Sequence, residues 1–225
     1  MLTASTNCNR NFCPPGSRVL AAAHKRWISL RGRLDFLILL VAVLAFNAHL
    51  AGLGSSRWAL FLPGAIEDGQ WWRLFTHPFV HVTWYHLLLD AGAFFLLYDG
   101  LEEKSMLTRV FCLPMCAASG LLAALVFSPQ IDTAGLCGLS GTAHGLMAFS
   151  GLEMMRAPGK RGSGMFFFAL VALKSLYELI TGTVFFDFMH MGLCGAPLAA
   201  CHFGGVAGGT AAFLLFKILP TAKTA

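Results

Sequence analysis

Apolar residues run almost unbroken at six places along the chain: 34–53, 84–98, 106–127, 140–155, 165–180 and 197–219. A helix needs about 20 apolar residues to cross the hydrocarbon of a bilayer. Several of these runs sit near the short limit, which predicts a compact bundle of six tilted or partly sheltered spans. Between the first two runs, the stretch 54–83 carries Trp58, Trp71 and Trp72, with Trp84 just beyond it. Tryptophan at that density predicts an amphipathic excursion along the membrane interface rather than a further crossing. The fold class expected is an all-α membrane protein with one six-helix membrane domain over 34–219.

Composition agrees with the pattern. Of 225 residues, 56% are hydrophobic and 12% charged, too little polar surface to cover an ordinary soluble globule. The net charge of +5 does not point to nucleic acid, because the basic residues are spread over short segments between apolar runs. Residues 1–33 hold Arg10, Arg18, Lys25, Arg26, Arg31 and Arg33 with no acid among them and no apolar core of a signal peptide. They are expected to form a cytoplasmic tail, disordered or lying on anionic lipid, with a second short tail at 220–225. Most of the remaining Lys and Arg gather at 99–109, 156–163 and the C-terminus, whereas 128–139 and 182–196 have none. By the positive-inside bias both termini are cytoplasmic.

That orientation groups the rare polar residues. The second, fourth and sixth spans enter from the outer side, so His81, His86 and Asp90, then Ser140 and His144, then His202 share one depth. Lys174 and Glu178 lie near the outer end of the fifth. Ionisable groups inside a bilayer are costly, and they mark a functional site or pair with one another. Ser140 stands in the stretch GLCGLSGTAHG at 135–145, where a Gly-rich loop turns into an apolar run. Near the first turn of a helix, unpaired N–H groups and the positive dipole end favour developing negative charge. A serine between two glycines is also a common close-packing device. Gly141 and Gly145 are four apart, as are Gly205 and Gly209, with Gly204 and Gly208 beside them. Strips of small residues let two backbones approach. If those strips face each other, Ser140 and His202 meet at the top of the contact. A hydroxyl and an imidazole in bonding range are the minimum for nucleophilic hydrolysis. No third acid is visible on the sixth span.

Gly138-Leu139-Ser140-Gly141, His202-Phe203-Gly204-Gly205-Val206-Ala207-Gly208-Gly209, and the segment from His81 through His86 to Asp90 together resemble the rhomboid family of intramembrane serine proteases, as does Trp72-Arg73 in the first outer loop. The resemblance covers roughly residues 60 to 217. It implies a six-helix bundle whose water-filled cavity opens to the outside, with Ser140 as nucleophile and His202 as general base. It further implies an oxyanion held by backbone N–H groups around Leu139, Ser140 and Gly141 with His86 and the position of Asp90. Asp90 departs from the family's usual asparagine; it is either protonated or orients His86. His144 four residues after Ser140, Lys174 and Glu178 on the fifth span, and the small size resemble the rhombosortase branch. That branch implies substrates that are secreted proteins with a C-terminal Gly-Gly motif, a transmembrane anchor and a basic tail, cut at the outer face of a bacterial inner membrane.

Plainer readings stand beside these. His144 reads equally as a packed histidine, Lys174 and Glu178 as a neutralising pair, and His77 and His81 as residues at the water interface. No zinc-hydrolase signature is present, so neither a metal nor another cofactor is expected. Cys137 and Cys194, in the outer loops, are either bridged or free. Two rival functions are a catalytically inactive relative that binds membrane clients, and a small transporter or proton relay built on Asp90, Lys174 and Glu178.

Overall fold

The structure is a computed structural model that describes residues 34–103, 105–185 and 187–218. The two predicted tails, Cys8, Cys13 and Lys104 lie outside the described residues. From the N-terminal side, α1 (Leu34–Phe46) leads into a 3-10 turn, Ala48–Ala51. The tryptophan-rich connection folds into two short helices, α2 (Pro63–Glu67) and α3 (Arg73–Thr76), followed by a second 3-10 turn, His77–Phe79. Then come α4 (Trp84–Asp99), α5 (Met106–Phe127), the short α6 (Ile131–Ala134), α7 (Ser140–Arg156) and α8 (Arg161–Thr181). A single turn, α9 (Asp187–His190), precedes α10 (Ala200–Phe213), which ends in a π turn. Helices make up the regular structure of the described residues, apart from one isolated antiparallel bridge between Phe61 and Leu136.

Among the described residues, two helices, α5 and α8, are long and apolar enough to cross a bilayer. A third crossing is reached if Arg73–Phe79 and Trp84–Asp99, bent by 95° where they meet, count as one broken span. Their outer faces carry bare apolar side chains, among them Leu122 and Val126 on α5 and Phe166, Leu173 and Ile180 on α8. Large apolar surface of that kind belongs against lipid.

The centre of the bundle is α10, which buries 10 of its 14 residues. It packs most extensively on α5 and α7, and its glycines are divided between the two. A Cβ added at Gly205 would lie 1.9 Å from the Gly141 carbonyl oxygen, and one at Gly209 would lie 2.0 Å from that of Gly145. On the other side, a Cβ at Gly204 would meet the Ser119 oxygen at 2.2 Å and one at Gly208 the Met115 oxygen at 2.5 Å. The strips of α7 and α10 therefore face each other as the spacing suggests, and the adjacent pair serves a second interface, with α5. No side chain fits at these four places, so the three helices approach backbone to backbone.

The tryptophan-rich connection keeps Trp58, Trp71 and Trp72 exposed, and Trp84 at the start of α4 is exposed as well, as an interfacial excursion should. Its interior is tied by Arg73, whose guanidinium donates to the Gln70 side chain (2.8 and 2.6 Å) and to the backbone oxygens of Arg57 and Leu60. Through paired backbone bonds between Phe61 and Leu136, 3.1 and 3.0 Å, the same connection grips the loop that leads into α7. Toward the C-terminal end of α7, Glu153 lies with Glu103 around the Lys217 ammonium.

Candidate active site

Ser140 is the first residue of α7, and Leu139 before it supplies no side-chain cap. The first amides of a helix lack intrahelical partners, and the Ser140 N–H finds one in Asp90 Oδ2 at 3.1 Å. The turn that sets this up is glycine for two reasons. Gly138 has φ +102°, and a Cβ there would lie 2.6 Å from Asp90 Oδ2 and 2.9 Å from His86 Nε2. Only a residue without a side chain takes that conformation at that contact. Its N–H is held by the His77 oxygen at 3.1 Å.

Asp90 gathers more than one donor. His86, one turn earlier on α4, places Nε2 3.1 Å from the same Oδ2, and His81 Nε2 stands 3.6 Å away. The helix start, the imidazole and the carboxylate thus converge at a single oxygen, where the positive end of α7 favours a negative charge. His77 and His81 are buried, not at the water interface as their position in the chain suggests. Asn47 at the end of α1 accounts for the second: its Oδ1 accepts the His81 N–H at 2.8 Å, and His49 Nε2 lies 3.0 Å from the His81 oxygen. The connection is thereby drawn inward by groups just after α1 that sequence reading passed over.

On the other side of Ser140 lies a second polar cluster. His202 on α10 is buried, and its Nδ1 is 2.8 Å from Glu178 Oε2 on α8. Glu178 is fully buried, and its other oxygen takes the Lys174 ammonium at 2.6 Å and the Phe185 N–H at 2.9 Å. Lys174 also reaches His144 Nε2 at 2.9 Å, while His144 Nδ1 lies 2.7 Å from the Ser140 backbone oxygen. The rings of His144 and His202 stack with centroids 4.1 Å apart and planes within 10°. Lys174 and Glu178 do pair, but they are more than a neutralising pair, because each bridges to a histidine on another helix. An acid missing from α10 itself arrives from α8.

Ser140 and His202 line one cavity of about 350 Å³, together with His86, Asp90, His144 and Lys174. Leu139 is buried, and Gly141 belongs to the helix contact, where a Cβ would meet the Cys201 oxygen at 3.0 Å. Cys137 and Cys194 border the same cavity as free thiols. Burial pushes the Cys137 thiol up to about 12 and raises that of Cys194 as well, so both remain protonated at neutral pH.

Among the described residues, two sets of side chains have the donor types of a metal site: His81, His86 and Asp90, and His144, Glu178 and His202. In the second, the Lys174 ammonium bonds both His144 and Glu178 and so takes the place a cation would need. In the first, Gly138 packs against both His86 Nε2 and Asp90 Oδ2, which already touch each other. Chemically, the cavity offers a hydroxyl at a helix start, an imidazole with one nitrogen anchored by a carboxylate, and donors aimed at a common point. That is the equipment of nucleophilic acyl transfer.

A family model described as the rhomboid domain matches residues 68–218. A curated relative from Bacillus subtilis (strain 168), named "Putative rhomboid protease YdcA", is 28% identical over 180 residues, which cover 76% of this chain and 88% of the relative.

Proposed function

Since the chain belongs to the rhomboid family, we propose that it is an intramembrane serine endopeptidase with Ser140 as nucleophile and His202 as general base. One observation carries this reading: α7 and α10 touch along facing glycines, and the first residue of one and a buried histidine of the other open onto the same cavity. The imidazole takes the hydroxyl proton as Ser140 attacks the scissile carbonyl, and returns it to the leaving amine; water then releases the acyl group by the same route. The oxyanion is accepted at the start of α7, by N–H groups of the 139–141 turn and by His86, once Asp90 yields its place or turns a protonated oxygen toward it.

The substrates on this reading are membrane-anchored proteins cut near the outer end of a C-terminal transmembrane segment, in the manner of the rhombosortase branch. The cavity opens to the periplasmic side of a bacterial inner membrane, in a bundle of six spans. His144, Lys174 and Glu178 around the dyad favour that branch. The decisive experiment compares membrane and secreted fractions of cells carrying wild type or Ser140→Ala. Precursors that keep a C-terminal hydrophobic tail accumulate in the mutant; an unchanged pattern overturns the sorting role. In parallel, a fluorophosphonate probe labels wild type and not Ser140→Ala.

A second reading, client binding without cutting, draws on Asp90, whose carboxylate occupies the Ser140 N–H and touches His86. Wild type that fails to label decides in its favour.

A further inference from the structure

The buried carboxylate of Glu178 has no part in a two-residue mechanism, yet it is the best-connected group near the dyad. Its Oε2 is 2.8 Å from His202 Nδ1. A carboxylate only accepts, so Nδ1 carries a proton, and in the neutral ring Nε2 is the nitrogen that keeps its lone pair and acts as base. Lys174 is a donor only, so where it meets His144 Nε2 at 2.9 Å, that nitrogen accepts and the His144 proton sits on Nδ1, donated to the Ser140 oxygen at 2.7 Å. Every tautomer in the cluster follows from these two contacts without conflict. The result is a chain of bonds that starts at the Ser140 backbone, passes through His144, Lys174 and Glu178, and ends on the ring of His202. It joins α7, α8 and α10.

We propose that Glu178 is the third member of a serine–histidine–glutamate relay, a positioning residue that holds His202 in the Nδ1-protonated form and balances the imidazolium formed in catalysis. Lys174 and His144 brace it against Ser140. This rests on the peptidase reading above and adds to it. When the Ser140 oxygen bonds to the scissile carbon, its proton passes to His202 Nε2; the Nδ1 proton stays on the ring, bonded to Glu178, which is not itself protonated. The proton then leaves Nε2 for the departing amine as the C–N bond breaks. Lys174 holds the carboxylate from the opposite side at 2.6 Å, and the Phe185 N–H adds a third donor at 2.9 Å, so the acceptor cannot rotate away from the imidazole.

Glu178→Gln is the informative change, because it keeps the volume and removes the charge. Its amide either offers N–H to His202 Nδ1, which imposes the wrong tautomer, or turns its N–H group against Lys174 and Phe185. The full-length protein in detergent is reacted with a fluorophosphonate probe over a range of concentrations, to separate the maximal rate from the half-saturating concentration. Expected for Glu178→Gln is a maximal rate lower by up to about 10⁴-fold, the loss caused by the corresponding acid-to-amide change in a serine protease triad, with half-saturation unmoved. Independently of activity, the native protein and Ser140→Ala should each show a downfield imidazole proton resonance that disappears in His202→Gln and in Glu178→Gln. Absence of that resonance from the native protein overturns the relay even if Glu178→Gln does not fold. A maximal rate within about twofold of wild type also overturns it, and leaves the peptidase reading standing. Failure of wild type to label, by contrast, removes the peptidase reading first and the relay with it.

Discussion

At the scale of single residues, the site is decided by which donors meet which acceptors, and Asp90 is where this chain is unusual. Its Oδ2 receives the Ser140 N–H and the His86 ring, two donors an oxyanion would need. A carboxylate there repels the developing charge, whereas an amide can both accept from His86 and donate inward. Asp90→Asn is therefore expected to speed fluorophosphonate labelling of Ser140 by about tenfold, a fraction of what one oxyanion donor contributes elsewhere. Slower labelling would show that the carboxylate is needed to hold His86 and the start of α7 in place. That Asp90 sits one turn from His86 was legible in the chain. That it also binds the Ser140 amide was not, because the partners are 50 residues apart.

At the scale of elements, the arrangement depends on three helices that meet without side chains between them. The facing of Gly141 and Gly145 toward Gly205 and Gly209 could be anticipated from their four-residue spacing; the use of Gly204 and Gly208 against α5 could not, because nothing in α5 marks the receiving turn at Met115 and Ser119. A methyl group at Gly205 would fall 1.9 Å from a backbone oxygen, which cannot swing aside as a side chain can. Gly205→Ala should cost about 1–3 kcal/mol as overpacking, read as a lower thermal midpoint in detergent, and should slow labelling of Ser140 by parting α7 from α10. Gly92→Ala on α4, with nothing within 4 Å of the added carbon, is the matched control. It leaves both measurements unchanged or improves the midpoint. Equal losses in the two variants would remove the case for a glycine-to-glycine interface.

At the scale of the whole molecule, the chain is a multi-pass membrane protein in which loops between the helices hold parts of the site in place. The connection before α4 grips the turn into α7 through Phe61 and Leu136, and the clasp around Arg73 stiffens that grip. Arg73→Ala should thus lower Ser140 labelling although its side chain bonds within the loop, and Arg73→Lys should not rescue it, since a lysine cannot span the same acceptors. The direction of the bundle is a separate expectation, taken from where Lys and Arg gather. Alkaline phosphatase fused after residue 130 should be active outside the cytoplasm, and fused after residue 160 inactive. The reverse result would turn the cavity toward the cytoplasm and exclude a role in sorting secreted proteins.

Hydropathy, spacing and residue type alone determined that this chain is helical and membrane-embedded, that its polar residues share a layer, and which serine and histidine to watch. Those properties are local or periodic, and a linear pattern carries them. Only the tertiary structure decided that Glu178 reaches across to His202, that Lys174 joins it to His144, that His81 is drawn into the interior by Asn47, and that Asp90 fills the start of α7. Each of these depends on how helices distant in sequence are rotated about their own axes. For α5, α7 and α10 that rotation is set by backbone contacts along the glycine strips, in which no side chain records the partner.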